Sequence, residues 1–131
     1  GDYSTAELNY LAKMRDVTNL FFLGPKYEDT LWLEYATSSI FLYPTRNDVF
    51  PGVILEAMMF GLPIVTFDVG AISEMLPEKG AFLAKNIPNM VGLIERADST
   101  SLETRRIIRD HFLSNYQEKT FKNNVINFIR S

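Results

Sequence analysis

The chain of 131 residues has no cysteine, one histidine and one tryptophan. Without cysteine it can build no disulfide framework, thiolate zinc site, iron–sulfur cluster or cysteine nucleophile, a composition compatible with a reducing compartment. The lone histidine, His111, excludes a multi-histidine metal centre. No apolar run approaches the ~18 residues of a membrane span, and no basic stretch leads into an apolar one as in a signal peptide. Neither G-x-G-x-x-G nor G-x-x-x-x-G-K-[ST] occurs, which counts against nicotinamide-dependent dehydrogenases and P-loop nucleotidases. There is no Asp-x-Asp pair to hold a divalent cation.

What is present is an ordinary globular balance, 47% hydrophobic and 22% charged residues, sized for one domain with one core. Charge is uneven. Residues 101–131 carry six Lys/Arg against three Asp/Glu, leaving seven basic and thirteen acidic side chains before them. An acidic body argues against a nucleic-acid groove, which needs a positive field. The basic C-terminal segment reads as a solvated helix face, with contact to anionic lipid as the alternative.

Apolar five-residue runs alternate with helical patterns along the chain. A capping box at Ser4/Glu7 opens an amphipathic helix to about Asp16, and Asn19 to Leu23 has strand character, stopped by Gly24-Pro25. A helix is expected from an N-cap at Asp29 to Thr37 or Ser38, a strand at Ser39–Tyr43, and a nearly all-apolar helix from Gly52 to Phe60 closed by Gly61. Then follow a strand at Pro63–Phe67, a brief helix over 71–76, a strand at Ala81–Ala84 and a helix from Pro88 to Ala97. A helix behind a Thr100/Glu103 capping box and another from about Asn115 to Ile129 end the chain. Such alternation predicts an α/β fold, a parallel sheet with helices on both faces. Phe21, Phe22, Trp32, Phe41 and Tyr43 are expected in its core, and His111 is expected to be a packing or surface residue. Ligands of such folds sit beyond the C-terminal ends of the strands, which directs attention to the loops after residues 23, 43 and 67.

The segment PTRNDVFPGVILEAMMF, residues 44–60, carries the most chemistry. Glu56 is a carboxylate in the middle of an apolar helix, where an unpaired charge costs several kcal/mol as a rough order, so it must have a partner. A vicinal diol suits it, because the two carboxylate oxygens can accept both hydroxyl protons of a ribose. Pairing with an arginine or a backbone amide is the structural alternative. Pro51 fits the first helical position, and the free amides of Gly52, Val53 and Ile54, backed by the helix dipole, outline a cradle for a diphosphate. Asp48, eight residues before Glu56, overhangs the same crevice, although Asn47-Asp48 is also a common turn pair. Thr45 and Arg46 lie beside the crevice within reach of a phosphate.

FLG at 22–24, Tyr35-Ala36, the strand IFLYP and the run DVFPGVILEAMMFGLPIVTFDVGAISEM, residues 48–75, together resemble the C-terminal half of nucleotide-sugar glycosyltransferases. The resemblance is to the retaining family with two facing Rossmann-like domains, the GT-B architecture, that carries an E-x7-E motif. It runs in register from Gly1 to about Met75 and more loosely beyond, through the L-E-A-M, G-x-P-[IV]-V and D-V-G blocks. It implies that Glu56 holds the ribose hydroxyls of the donor and that Asp48 lies by the donor sugar. The amides around Phe50, Gly52 and Val53 would face sugar and phosphate, and the loops after Gly24 and Tyr43 would flank the base. Asp48 departs from the motif, which has glutamate there, and a side chain shorter by one methylene points to altered sugar contact or a different sugar. Glu74 falls where the family is often acidic.

The resemblance further implies a donor-binding domain, residues 1–114 with a C-terminal helix over 115–131, that lacks its first two strands and the Arg/Lys loop that clamps the diphosphate. On that reading the chain is a fragment of a longer polypeptide, or its edge is covered by another copy, and alone it is inactive for want of the acceptor-binding N-terminal domain. The expected partners are a nucleotide sugar, that N-terminal domain and a glycan or lipid-linked acceptor, with no metal and no cofactor beyond the donor substrate. The expected location is the cytoplasm, with the inner face of a membrane within reach of the basic segment. Rival readings are a noncatalytic glycosyltransferase-like binding module and a nucleotide-sugar epimerase of the same architecture.

Overall fold

A computed structural model describes residues 21, 23–44, 52–69, 72–116 and 130. In chain order the elements are α1 (Glu28–Thr37), β1 (Phe41–Tyr43), α2 (Gly52–Met59), β2 (Ile64–Phe67), α3 (Ile72–Met75), β3 (Ala81–Ala84), α4 (Ile87–Asp98) and α5 (Leu102–Asn115). The three strands form one parallel sheet in the order β1-β2-β3, with Phe41 opposite Ile64 and Ile64 opposite Ala81.

All four residues of the central strand β2 are buried, as a strand covered on both faces requires. Its side chains alternate between two apolar layers. Ile64 joins Tyr35 of α1, Ile54, Ala57, Met58 and Met59 of α2, Ile72 and Met75 of α3, and Ile108 and Phe112 of α5. Val65 and Phe67 meet Met90, Leu93 and Ala97 of α4 together with Ala84 of β3. The fold is therefore α/β and Rossmann-like, with helices on both faces of a parallel sheet.

Local chemistry explains the element ends. Helix α2 closes with a Schellman arrangement: the Gly61 amide donates to the Met58 carbonyl at 2.9 Å and the Leu62 amide to that of Ala57 at 3.1 Å. Gly61 there has φ +68°, and a Cβ would lie 2.8 Å from the Arg105 carbonyl oxygen, so glycine is required. Helix α4 is capped by Asn86, whose side chain accepts from the Asn89 amide at 2.8 Å.

Several boundaries differ from expectation. Helix α1 begins at Glu28, one residue before the expected cap, so Asp29 sits in the first turn, facing the positive end of the dipole. Strand β1 starts at Phe41, where the first ladder bond, from the Phe41 amide to the Pro63 carbonyl, becomes available. The carbonyl of Ser39 is instead taken by the Arg105 guanidinium at 2.7 Å. The cap of α5 is Ser101 rather than Thr100, its hydroxyl accepting from the Thr104 amide at 3.2 Å. That helix runs unbroken to Asn115, where a new one was expected to begin.

Phe21 is not core: it is 76% exposed and, like Leu23, belongs to no strand. Trp32, Phe41 and Tyr43 do pack against the core. The expected helix over 4–16, residues 117–129 of the helix expected from Asn115 to Ile129, and most of the expected strand at 19–23 lie outside the described residues.

Candidate functional site

Strand β1 runs into the connection at 44–51 and α2 returns antiparallel to it, so the N-terminus of α2 lies at the C-terminal edge of the sheet. Asp68, exposed after β2, and the Asn86 cap of α4 share that edge. At this position open α/β sheets hold their ligands.

Four expected site residues occupy the first turns of α2. Gly52 is exposed, and a Cβ there would meet nothing within 4 Å, leaving room for a ligand to approach the backbone. Val53 is half-buried, while the Ile54 side chain is wholly buried, so only its amide can face the crevice. The opening amides of a helix have no intrahelical acceptor, and they concentrate the positive end of its dipole.

Glu56 lies farther along the same helix and is half-buried. Helical side chains lean toward the N-terminus, which carries its carboxylate back toward the strand ends. The partner that its apolar surroundings demanded is the phenol of Tyr35, which donates to Oε2 at 2.7 Å. Among the described residues neither an arginine nor a backbone amide pairs with it. Tyr35 is held by stacking on Phe60, with ring centroids 5.6 Å apart and planes inclined by 13°, and by Trp32 at 6.3 Å. Burial, reinforced by the Glu56 carboxylate, pushes its phenol far above the ordinary tyrosine range. The proton therefore stays on tyrosine and the carboxylate is the acceptor.

Thr66, at the C-terminal end of β2, is fully buried and donates its hydroxyl to the Tyr43 carbonyl at 2.7 Å, fixing the point where the chain leaves β1. Gly24 is exposed with φ +74°, a conformation glycine adopts without strain. Glu74 is exposed in the single turn of α3. His111 packs: its Nε2 donates to the Met75 carbonyl at 2.9 Å, and the Tyr116 hydroxyl donates to the same oxygen at 2.9 Å, tying α3 to α5. A carbonyl can only accept, so the imidazole carries its proton on Nε2. Thr45, Arg46, Asp48 and Phe50 lie outside the described residues.

A cleft of about 660 Å³ opens elsewhere, among Lys79, Phe82, Arg96 and Ser101 at the N-terminal edge of the sheet. It is remote from the ends where a doubly wound fold gathers its ligand-binding loops. Among the described residues no three His, Asp or Glu side chains converge as a metal set would, and no helix is long and apolar enough to cross a membrane.

The parallel sheet with helices on both faces is a Rossmann-like half. The family model for glycosyl transferases group 1 matches residues 1–97, and the chain belongs to that family. A glycosyltransferase of Haemophilus influenzae, described as uncharacterized, is 36% identical over 88 residues, 64% of this chain and 25% of that protein. The sulfoquinovosyl transferase SQD2 of Arabidopsis thaliana is 37% identical over 57 residues, 44% of this chain and 11% of that protein. The matches thus span a quarter or less of the length of these curated relatives.

Proposed function

We propose that this domain is the donor-binding half of a retaining glycosyltransferase that moves a hexose from a nucleoside diphosphate sugar to a hydroxyl of a glycan or lipid-linked acceptor. The observation that carries the reading is Glu56, a carboxylate on α2 held by Tyr35 and inclined toward the strand ends. Its oxygens suit the two hydroxyls of a ribose. The amides of Gly52, Val53 and Ile54 lie at the helix start, where the diphosphate of the same ligand belongs, and Asp48 would reach the sugar. Charge growing on the departing diphosphate would be met by preorganised amides and the helix dipole, with no metal in that role. The base, the sugar and the acceptor are set by contacts beyond these residues.

The test is calorimetric titration of UDP-, GDP- and ADP-sugars against the complete native polypeptide, its Glu56→Ala variant and its Glu56→Gln variant. Glutamine keeps a carbonyl oxygen for Tyr35 but loses the charge that strengthens both ribose bonds. One base class should bind, and each variant should weaken it roughly 10- to 100-fold, since a hydrogen bond to a charged group contributes about 1.5–3 kcal/mol. Glu56→Gln should leave the thermal midpoint nearly unchanged. Absence of binding by the folded protein, or loss of stability as large as the loss of affinity, would return Glu56 to a structural role and favour the noncatalytic module.

A further inference from the structure

The carboxylate of Glu56 has about four lone-pair positions, and Tyr35 occupies one of those on Oε2. Among the described residues Oε1 and the remaining position on Oε2 have no hydrogen-bond donor, which leaves room for two hydroxyls. An unrestrained glutamate would have to freeze its rotamers on meeting a ligand, which lowers affinity by about an order of magnitude. Here the freezing is already done. Tyr35 is 8% exposed, its ring lies between Phe60 and Phe41, with centroids 5.6 and 6.0 Å away, and its only polar atom beyond the backbone is spent on the carboxylate. The phenol belongs to α1 and the carboxylate to α2, so the bond links the two helices.

We propose that Tyr35 is a positioning residue for the donor site, presetting the Glu56 carboxylate so that it discriminates a ribose from a sugar lacking the 2′-hydroxyl. The inference rests on the donor-binding reading above. With the phenol donating to Oε2, the carboxylate oxygens offer acceptor positions to a ligand. The crevice therefore selects hydroxyl donors at that point and rejects groups that can only accept.

The measurement is the affinity ratio between a nucleoside diphosphate and its 2′-deoxy counterpart, by calorimetry on the complete native polypeptide. In the unmodified protein the ratio should be large. Tyr35→Phe should weaken the ribonucleotide about tenfold, as expected when an oriented glutamate becomes a mobile one, and leave the deoxynucleotide almost unchanged, collapsing the ratio. Combined with Glu56→Gln, it should reduce the ratio no further than Glu56→Gln alone. A packing role alone would lower both affinities together, or neither.

If Tyr35→Phe keeps the full ratio while Glu56→Gln abolishes it, the positioning role is overturned and the donor reading stands. If the unmodified protein shows no ratio, or no binding, the donor reading falls and the positioning role falls with it. Should the phenylalanine variant not fold, the hydroxyl proton of Tyr35 is followed by NMR in the unmodified protein. It should shift on adding the ribonucleotide and not the deoxynucleotide, and equal shifts, or none, would overturn the proposal.

Discussion

Gly80 offers the sharpest test of how the layer carrying the candidate site is held on the sheet. It precedes β3 with φ +93°, and a Cβ there would fall on Cγ1 and Cδ1 of Ile108, well inside van der Waals contact. Ile108 is wholly buried in the α1–α2–α5 layer and has nowhere to retreat. Alanine at position 80 therefore carries two penalties: about 1–2 kcal/mol for a left-handed backbone and about 1–3 kcal/mol for overpacking a filled core. The expected loss is about 2–5 kcal/mol, against a total near 5–15 kcal/mol for a domain. Urea melts followed by circular dichroism should show a lower midpoint with an unchanged slope. The decisive comparison adds Ile108→Ala, which removes the carbons in the way, so Gly80→Ala should then cost only the backbone share, about 1–2 kcal/mol. Costs that add within about 0.5 kcal/mol in the double variant would refute the packing argument.

Ser101→Ala should destabilise by about 0.5–2 kcal/mol, as removal of a helix cap does, whereas Thr100→Ala should cost little; chemical melts of both variants decide which residue caps α5. Alkaline pH should unfold the protein earlier than its carboxylates and lysines alone would. Burial, together with Glu56, raises the Tyr35 phenol, and burial raises that of Tyr116, so the folded chain keeps protons that the unfolded chain releases near the ordinary value of 10.0. The stability these groups confer is complete below that pH and declines as pH climbs from there toward their folded values. Tyr35→Phe should flatten the decline, and a pH series of melts in which it does not would show that Tyr35 ionises freely in the fold.

Much of the fold is legible in short-range chemistry. The Gly61 end of α2 follows from a glycine placed just after an apolar helical run, and β3 occupies the expected Ala81–Ala84, preceded by Gly80 at φ +93° and followed by Lys85, whose amide donates to Asn89 Oδ1 at 3.0 Å. What pattern does not show is the outcome of competition between distant groups. Ser39 lies in a strand-like run, yet its carbonyl goes to Arg105, 66 residues away, and pairing begins only at Phe41. The choice of Ser101 over Thr100 turns on one residue of register between two hydroxyl side chains, either of which suits a cap.

The candidate site divides along the same line. That Glu56 needs a partner is readable from the apolar residues around it, but the identity of that partner is not, since Tyr35 stands 21 residues earlier on another helix. A tyrosine among apolar residues reads as core, and it is core. The available signal was a glutamate in an apolar helix with no local donor, which calls for a donor from another element. Phe21 illustrates the converse: strand-forming composition does not bury a residue unless a neighbouring surface receives it.

The aromatic packing around Tyr35 also equips the molecule with an optical probe. Trp32 is the only tryptophan in the chain, and its ring lies 6.1 Å from Phe60 and 6.3 Å from Tyr35, whose hydroxyl touches the Glu56 carboxylate. All indole emission thus originates one ring away from the Tyr35–Glu56 hydrogen bond. Excitation at the red edge of the absorption band selects that indole over the six tyrosines, so events at α1 and α2 can be followed in the unlabelled protein.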